Sequence, residues 1–124
     1  MKKALIRKLS GDFGSFDHLE AWYFDSFLNR LQGLMFKKNL LSHQAGLFIN
    51  KNENRLDSAI HMLFMNFDIA VFWIDRLNII VDKRIAKKWG LVYYPEVKAL
   101  KILETHPELY DKLQIGDTII IENF

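Results

Sequence analysis

Asp68-Ile69-Ala70-Val71-Phe72-Trp73-Ile74-Asp75-Arg76-Leu77-Asn78-Ile79-Ile80-Val81-Asp82-Lys83-Arg84-Ile85 decides the fold class. The apolar run between Asp68 and Asp75 is too short and too rich in β-branched and aromatic residues for a long helix, so it reads as a buried strand. From Leu77 to Ile85 the pattern alternates. Leu77, Ile79, Val81 and Ile85 fall on one face of a second strand, with Asn78, Asp82 and Arg84 on the other. Asp75-Arg76-Leu77-Asn78 between them reads as a hairpin turn. Asp75 caps it, and Asn78 is the residue able to take the left-handed backbone conformation.

Upstream of this hairpin, Ser58 to Met65 is another short apolar run, Ala45 to Asn50 reads as a strand, and Lys51 to Asp57 is a polar loop. Ala4 to Leu9 and His18 to Phe24 are further strands, separated by a turn region at Gly11 and Gly14. One helix is expected near the middle. Asp25 or Ser26 caps it, Phe27, Leu28, Leu31, Leu34 and Met35 follow at helical spacing, and Lys37, Lys38 and Asn39 close it.

Downstream, Lys87 to Pro95 reads as a loop held by Trp89, Tyr93 and Tyr94, and Lys98 to Glu104 as a strand. Thr105-His106-Pro107-Glu108 fits a capping box before a short helix to about Leu113. Gln114 to Asp117 turns the chain into a last strand, Thr118 to Glu122. The sum is a mainly β protein with two short helices. Its expected architecture is a compact antiparallel β-sandwich or partly closed barrel, with residues 1–124 as one domain.

Composition agrees. Of 124 residues, 50% are hydrophobic and 14% aromatic, enough to build a core and too many for a disordered chain. There is no cysteine, which removes disulfides, thiolate metal sites and a cysteine nucleophile. With 17 basic against 15 acidic residues, the net charge of +2 does not by itself point to a polyanionic partner. Arg7 and Lys8 interrupt the apolar start that a signal peptide would need. His61, Asn66 and Asp68 break the stretch from Ala59 to Ile74, which falls short of the roughly 20 apolar residues of a membrane span. A cytoplasmic location is expected.

Three ordered segments carry a family resemblance. They are Arg30-Leu31-Gln32-Gly33-Leu34-Met35-Phe36, Ile60-His61-Met62-Leu63-Phe64-Met65-Asn66-Phe67-Asp68-Ile69 running on to Asp75, and Lys101-Ile102-Leu103-Glu104 followed by Ile115-Gly116-Asp117. In this order, from about His18 to Ile121, the chain resembles the domain-of-unknown-function family 192, also called uncharacterised protein family 0127. The resemblance implies a β-rich fold with short helices and implies no activity. Two positions depart from the family pattern: Asn78 stands where a hairpin glycine is usual, and Thr105-His106-Pro107 replaces Pro-Ala-Gly.

Each chemically suggestive residue has a structural alternative. His61, Met62 and Met65 have the donor types that suit copper(I), but in a strand only His61 and Met65 share a face. No metal site and no cofactor are therefore assigned. A His61–Asp68 couple lining a cleft would serve acid–base chemistry in a hydrolytic enzyme; the alternative is a polar pair fixing the turn at Asn66-Phe67. Arg30 is placed to grip a carboxylate, either that of Glu104 or that of a ligand. Gly33 costs its helix about 1 kcal/mol relative to alanine and suggests close packing. Lys83, Arg84, Lys87, Lys88 and Trp89, with Tyr93 and Tyr94, mix cations and aromatics as single-strand binding surfaces do. Asp82 and Glu96 flank that segment and no nucleic-acid motif is present, so nucleic acid is disfavoured as a partner.

The favoured expectation is a non-catalytic binding or accessory module for a small molecule or protein. Its pocket would lie at the helix–sheet junction near Arg30, His61, Met65, Asp68 and Glu104. A hydrolase and a single-strand nucleic-acid binder are the alternatives. The sequence does not set the oligomeric state.

Overall fold

A computed structural model describes residues 3–24, 39–56, 58–62, 65–90 and 92–123, with His61 and Asn123 described by their backbone alone. The described strands are β1 (Lys3–Lys8), β2 (Leu19–Phe24), β3 (Gln44–Asn54), β4 (Ile60–His61), β5 (Ile69–Ile74), β6 (Ile80–Ala86), β7 (Val92–Tyr93), β8 (Ala99–Thr105) and β9 (Ile119–Asn123). One 3₁₀ helix, Pro107–Lys112, precedes β9. Seven strands form one sheet in the order β6-β5-β8-β3-β2-β1-β9, and β4 pairs with β7 in a separate ribbon.

The sheet curls into a half-barrel. Its two edge strands meet at one corner, where Ile79 bridges Thr118. There Ile80 N donates to Asp117 O (2.9 Å), Gly116 N to Ile80 O (2.8 Å) and Ile119 N to Asn78 O (2.9 Å). The 3₁₀ helix packs on β5 and β6 from the inner side, where Leu109 and Leu113 join the inner core. Lys83 secures it. Its ammonium donates to Tyr110 O (2.9 Å), Leu113 O (3.2 Å) and Gln114 Oε1 (3.1 Å) and lies 4.1 Å from the Tyr110 ring centroid. A cation is well placed at carbonyls that end a helical segment.

β5 explains itself physically. Ala70, Phe72 and Ile74 enter the inner core, while Ile69, Val71 and Trp73 enter a second cluster on the outer face under the β4–β7 ribbon. A strand covered on both sides has no polar positions, hence the unbroken apolar run. Burying each large side chain contributes about 1.5–3 kcal/mol. The hairpin turn behaves as its residues dictate. Asp75 Oδ1 accepts from Leu77 N (2.8 Å) and Ile79 N (3.0 Å), and Asn78 adopts φ of 64°.

Several details differ from the sequence reading. β2 and β3 pair in parallel, an exception to the antiparallel architecture expected; the chain between Phe24 and Gln44 provides the crossover that parallel strands need. The helix expected near residues 26–38 lies outside the described residues. β3 continues to Asn54, through the segment read as a loop, with a register shift between Ile49 and Asn54. A register shift opposite Trp73/Ile74 splits the face assigned to Leu77, Ile79, Val81 and Ile85: Ile85 packs on the inner core and Val81 does not. Ile80 is fully buried in the inner core, Val81 packs on the outer cluster, and Leu77 is exposed. Among the described residues of the Ser58–Met65 run, Ile60–His61 form the two-residue β4. His106, not Thr105, caps the 3₁₀ helix, its Nδ1 accepting from Glu108 N at 3.1 Å.

Ser58 is a structural hub. Its hydroxyl accepts from Asn50 Nδ2 (2.8 Å) and lies within donating distance of Asn54 O (2.8 Å) and Ala99 O (3.0 Å). Its carbonyl accepts from Trp73 Nε1 at 2.6 Å. Three strands and the largest buried side chain are thereby tied to one point.

Candidate functional site

In β8, side chains alternate between the two faces. Leu103 belongs to the inner core, and Ile102 and Glu104 to the outer face. Register places Glu104 opposite Val71 of β5 on one side and Gly46 of β3 on the other. Trp22 of β2 lies opposite Gly46, and Lys3 of β1 opposite Trp22. The outer face therefore carries one row across the sheet, Val71–Glu104–Gly46–Trp22–Lys3, in which the position beside the carboxyl has no side chain.

Glu104 is 7% exposed. Among the described residues its carboxyl has no hydrogen-bond or ion-pair partner, and burial alone pushes its pKa up to about 8. A carboxylate cannot remain charged in such surroundings without compensation, so the group takes up a proton. The surrounding outer cluster is apolar and polarisable. It contains Met62, Met65, Ile102 and the stacked pair Phe24–Phe48, whose ring centroids are 4.6 Å apart. Farther along the row, Lys3, Glu20, Trp22 and Gln44 border a shallow depression.

The other ligand candidates fare differently. Met65 is buried in the same outer cluster, its amide donating to Met62 O at 3.0 Å. Asp68 is occupied: its Oδ1 accepts from Lys88 N (2.8 Å) and Lys87 Nζ lies 3.5 Å from Oδ2. The Lys88 amide, aided by the two lysine charges, lowers the Asp68 pKa. Asp68 thus staples the start of β5 to the turn after β6. The His61 backbone pairs with Val92 in the β4–β7 ribbon. The His61 side chain and Arg30 lie outside the described residues, and so does any His61–Asp68 or Arg30–Glu104 pairing.

The basic and aromatic candidates do not share one surface. Lys83 faces inward opposite Phe72 and is engaged at the 3₁₀ helix, whereas Arg84 lies opposite Val71 on the outer face. Arg84 Nη2 is 4.0 Å from Glu96 Oε1, and its guanidinium carbon lies 6.0 Å from the Tyr93 ring centroid. Lys87 is held by Asp68. Trp89 is 54% exposed in a turn at φ of 59°, beside the exposed Lys88. Among the described residues no group of three or more His, Asp or Glu side chains is placed to hold a metal ion. No helix among them is long and apolar enough to cross a membrane.

Sequence reading singled out Glu104 as an acceptor for Arg30 and missed Gly46 and Trp22. The signal was present: a carboxylate two residues after Ile102, on the same face, in register with a glycine. Only strand pairing reveals that register.

The family model for DUF192, described as "Uncharacterized ACR", matches residues 11–121. A UPF0127 protein of Thermococcus kodakarensis is 41% identical over 97 residues, covering 77% of this chain and 60% of that protein. The chain thus matches about three-fifths of that relative's length. Two crystal structures share the fold. A protein of unknown function from Novosphingobium aromaticivorans has a TM-score of 0.78 at 12% identity, over 95% of this chain and 83% of that one. A Sinorhizobium meliloti protein provisionally described as a transcription regulator has a TM-score of 0.82 at 14% identity, over 97% and 92%.

Proposed function

Starting from the chain's membership of the DUF192 family, to which no activity is attached, we propose that this protein is a small-molecule binding module whose anchor is Glu104. The single observation that carries this reading is a carboxyl 7% exposed, with no partner among the described residues. Structural carboxyls that deep are ordinarily paired, because an unsatisfied buried polar group costs about 1–3 kcal/mol. A ligand that completes the hydrogen bonds of Glu104 recovers that cost on binding. Gly46, the register neighbour of Glu104, puts no side chain beside the carboxyl, and Met65 and Ile102 belong to the apolar cluster on the same face.

Chemical-shift mapping with a library of small polar–apolar fragments tests it. The expected result is a set of hits whose shifts centre on Val71, Ile102 and Glu104 and vanish in Glu104→Gln. Hits that cluster elsewhere, or that persist unchanged in Glu104→Gln, would show the carboxyl to be a structural group.

A further inference from the structure

The outer face around Glu104 is electron-rich. It carries the carboxyl oxygens, the thioethers of Met62 and Met65 and the aromatic rings of Trp22, Phe24 and Phe48. Thioethers and phenyl rings offer no strong donor, and ring faces, that of an indole above all, attract cations. No N–H group of a described residue is hydrogen-bonded to the Glu104 carboxyl. An ammonium group would meet a carboxylate and a π-face. Resting on the reading that Glu104 is the anchor, we infer that the ligand is an organic cation, a primary ammonium on a compact apolar body. Its charge sits at Glu104 over Gly46, with its body along Trp22 toward the depression bounded by Lys3, Glu20 and Gln44.

The reaction balances as an exchange of one proton. Free Glu104 holds the proton because burial favours its neutral form. When the ammonium enters, the carboxylic acid releases that proton to solvent and the resulting carboxylate pairs with the cation. Binding therefore strengthens as pH rises toward 8, by about tenfold per pH unit below that value. The other titratable groups on this face are few. β3 and β5 contribute none in the adjoining positions, β2 carries Glu20 with His43 Nε2 4.0 Å from its carboxylate, β1 carries Lys3, and His106 follows the end of β8. Arg84 on β6 sits one strand beyond Val71 beside Glu96, and Tyr93 on β7 packs against the outer cluster. Asp68 is held by Lys88 and Lys87. His61 of β4 is placed by its backbone only.

Isothermal titration of the whole chain with benzylammonium, benzyl alcohol and benzoate provides the test, run at pH 6 and 7 in two buffers of different ionisation enthalpy. Benzylammonium is expected to bind, to bind about tenfold more tightly at pH 7 than at pH 6, and to release close to one proton. Glu104→Gln, isosteric and neutral, is expected to abolish that binding while retaining the wild-type circular dichroism spectrum. If benzyl alcohol or benzoate binds in a Glu104-dependent way and benzylammonium does not, the cation assignment is overturned and the anchor stands. If benzylammonium binds without proton release, or equally to Glu104→Gln, the exchange at Glu104 is wrong. If none of the three binds at millimolar concentration, both the cation assignment and the anchor fall.

Discussion

The two faces of the curled sheet solve opposite problems. On the inner face, Ala70, Phe72, Ile74 and Leu103 meet Leu109 of the 3₁₀ helix and Leu113 at its end, and two charges that border this core, Lys83 and Lys101, donate to protein oxygens. On the outer face, a comparable set of apolar side chains surrounds a carboxyl that no described group satisfies. One face is finished; the other is left chemically open at one point. Stability alone would favour leucine at residue 104, so the contrast argues that the acid is retained for another task.

The largest expected effect sharpens the contrast through pH. Glu104 has a pKa of about 8 in the folded chain against 4.5 for the free side chain, so the native state holds the extra proton between those values. The resulting stability is fully present below about pH 4.5 and declines as pH rises to about 8. A tenfold difference in proton affinity between the folded and unfolded chain is worth about 1.4 kcal/mol, which makes the loss at most about 5 kcal/mol. Urea unfolding from pH 5 to 9 should follow this slope, and Glu104→Gln should flatten it. A flat wild-type curve would mean that the carboxyl is compensated and that the faces are alike.

Next in size comes the finished face. Phe72→Ala, at a fully buried inner position, should destabilise the chain by about 3–5 kcal/mol in the same measurement, with no change in the Glu104-dependent slope. A change in that slope would show that the two faces are coupled through β5. The smallest effect concerns Asp68. Its lowered pKa contributes stability above the unfolded carboxylate value, lost as pH falls through the lower folded one. Because the pair with Lys87 is largely exposed, Asp68→Asn should cost no more than about 1 kcal/mol at neutral pH. Ligand binding should be untouched. A large loss of binding would restore Asp68 to the site.

What was legible in the sequence follows the range of the forces involved. The Ile69–Ile74 strand, the Asp75 turn and the left-handed Asn78 depend on residues a few positions apart, and each is found as read. The parallel β2–β3 pair, the β6 register shift and the hub at Ser58 depend on partners that strand pairing brings in from elsewhere in the chain. Nothing local encodes these. Ser58 read only as the start of a short apolar run because its partners, Asn50, Trp73 and Ala99, come from three strands. Glu104 was legible as an acid of interest, but its isolation emerged only when β3 placed Gly46 beside it.

The pairing of β1 with β9 has a consequence in time. Ala4 lies opposite Asn123, so the first described strand waits for the last before its second edge is covered. A nascent chain emerging from a ribosome can assemble β5, β6 and β8 while β1 still exposes a bare row of amides and carbonyls. Non-local pairings of this span form slowly, which leaves the newborn chain a window for pairing with a neighbour before β9 arrives.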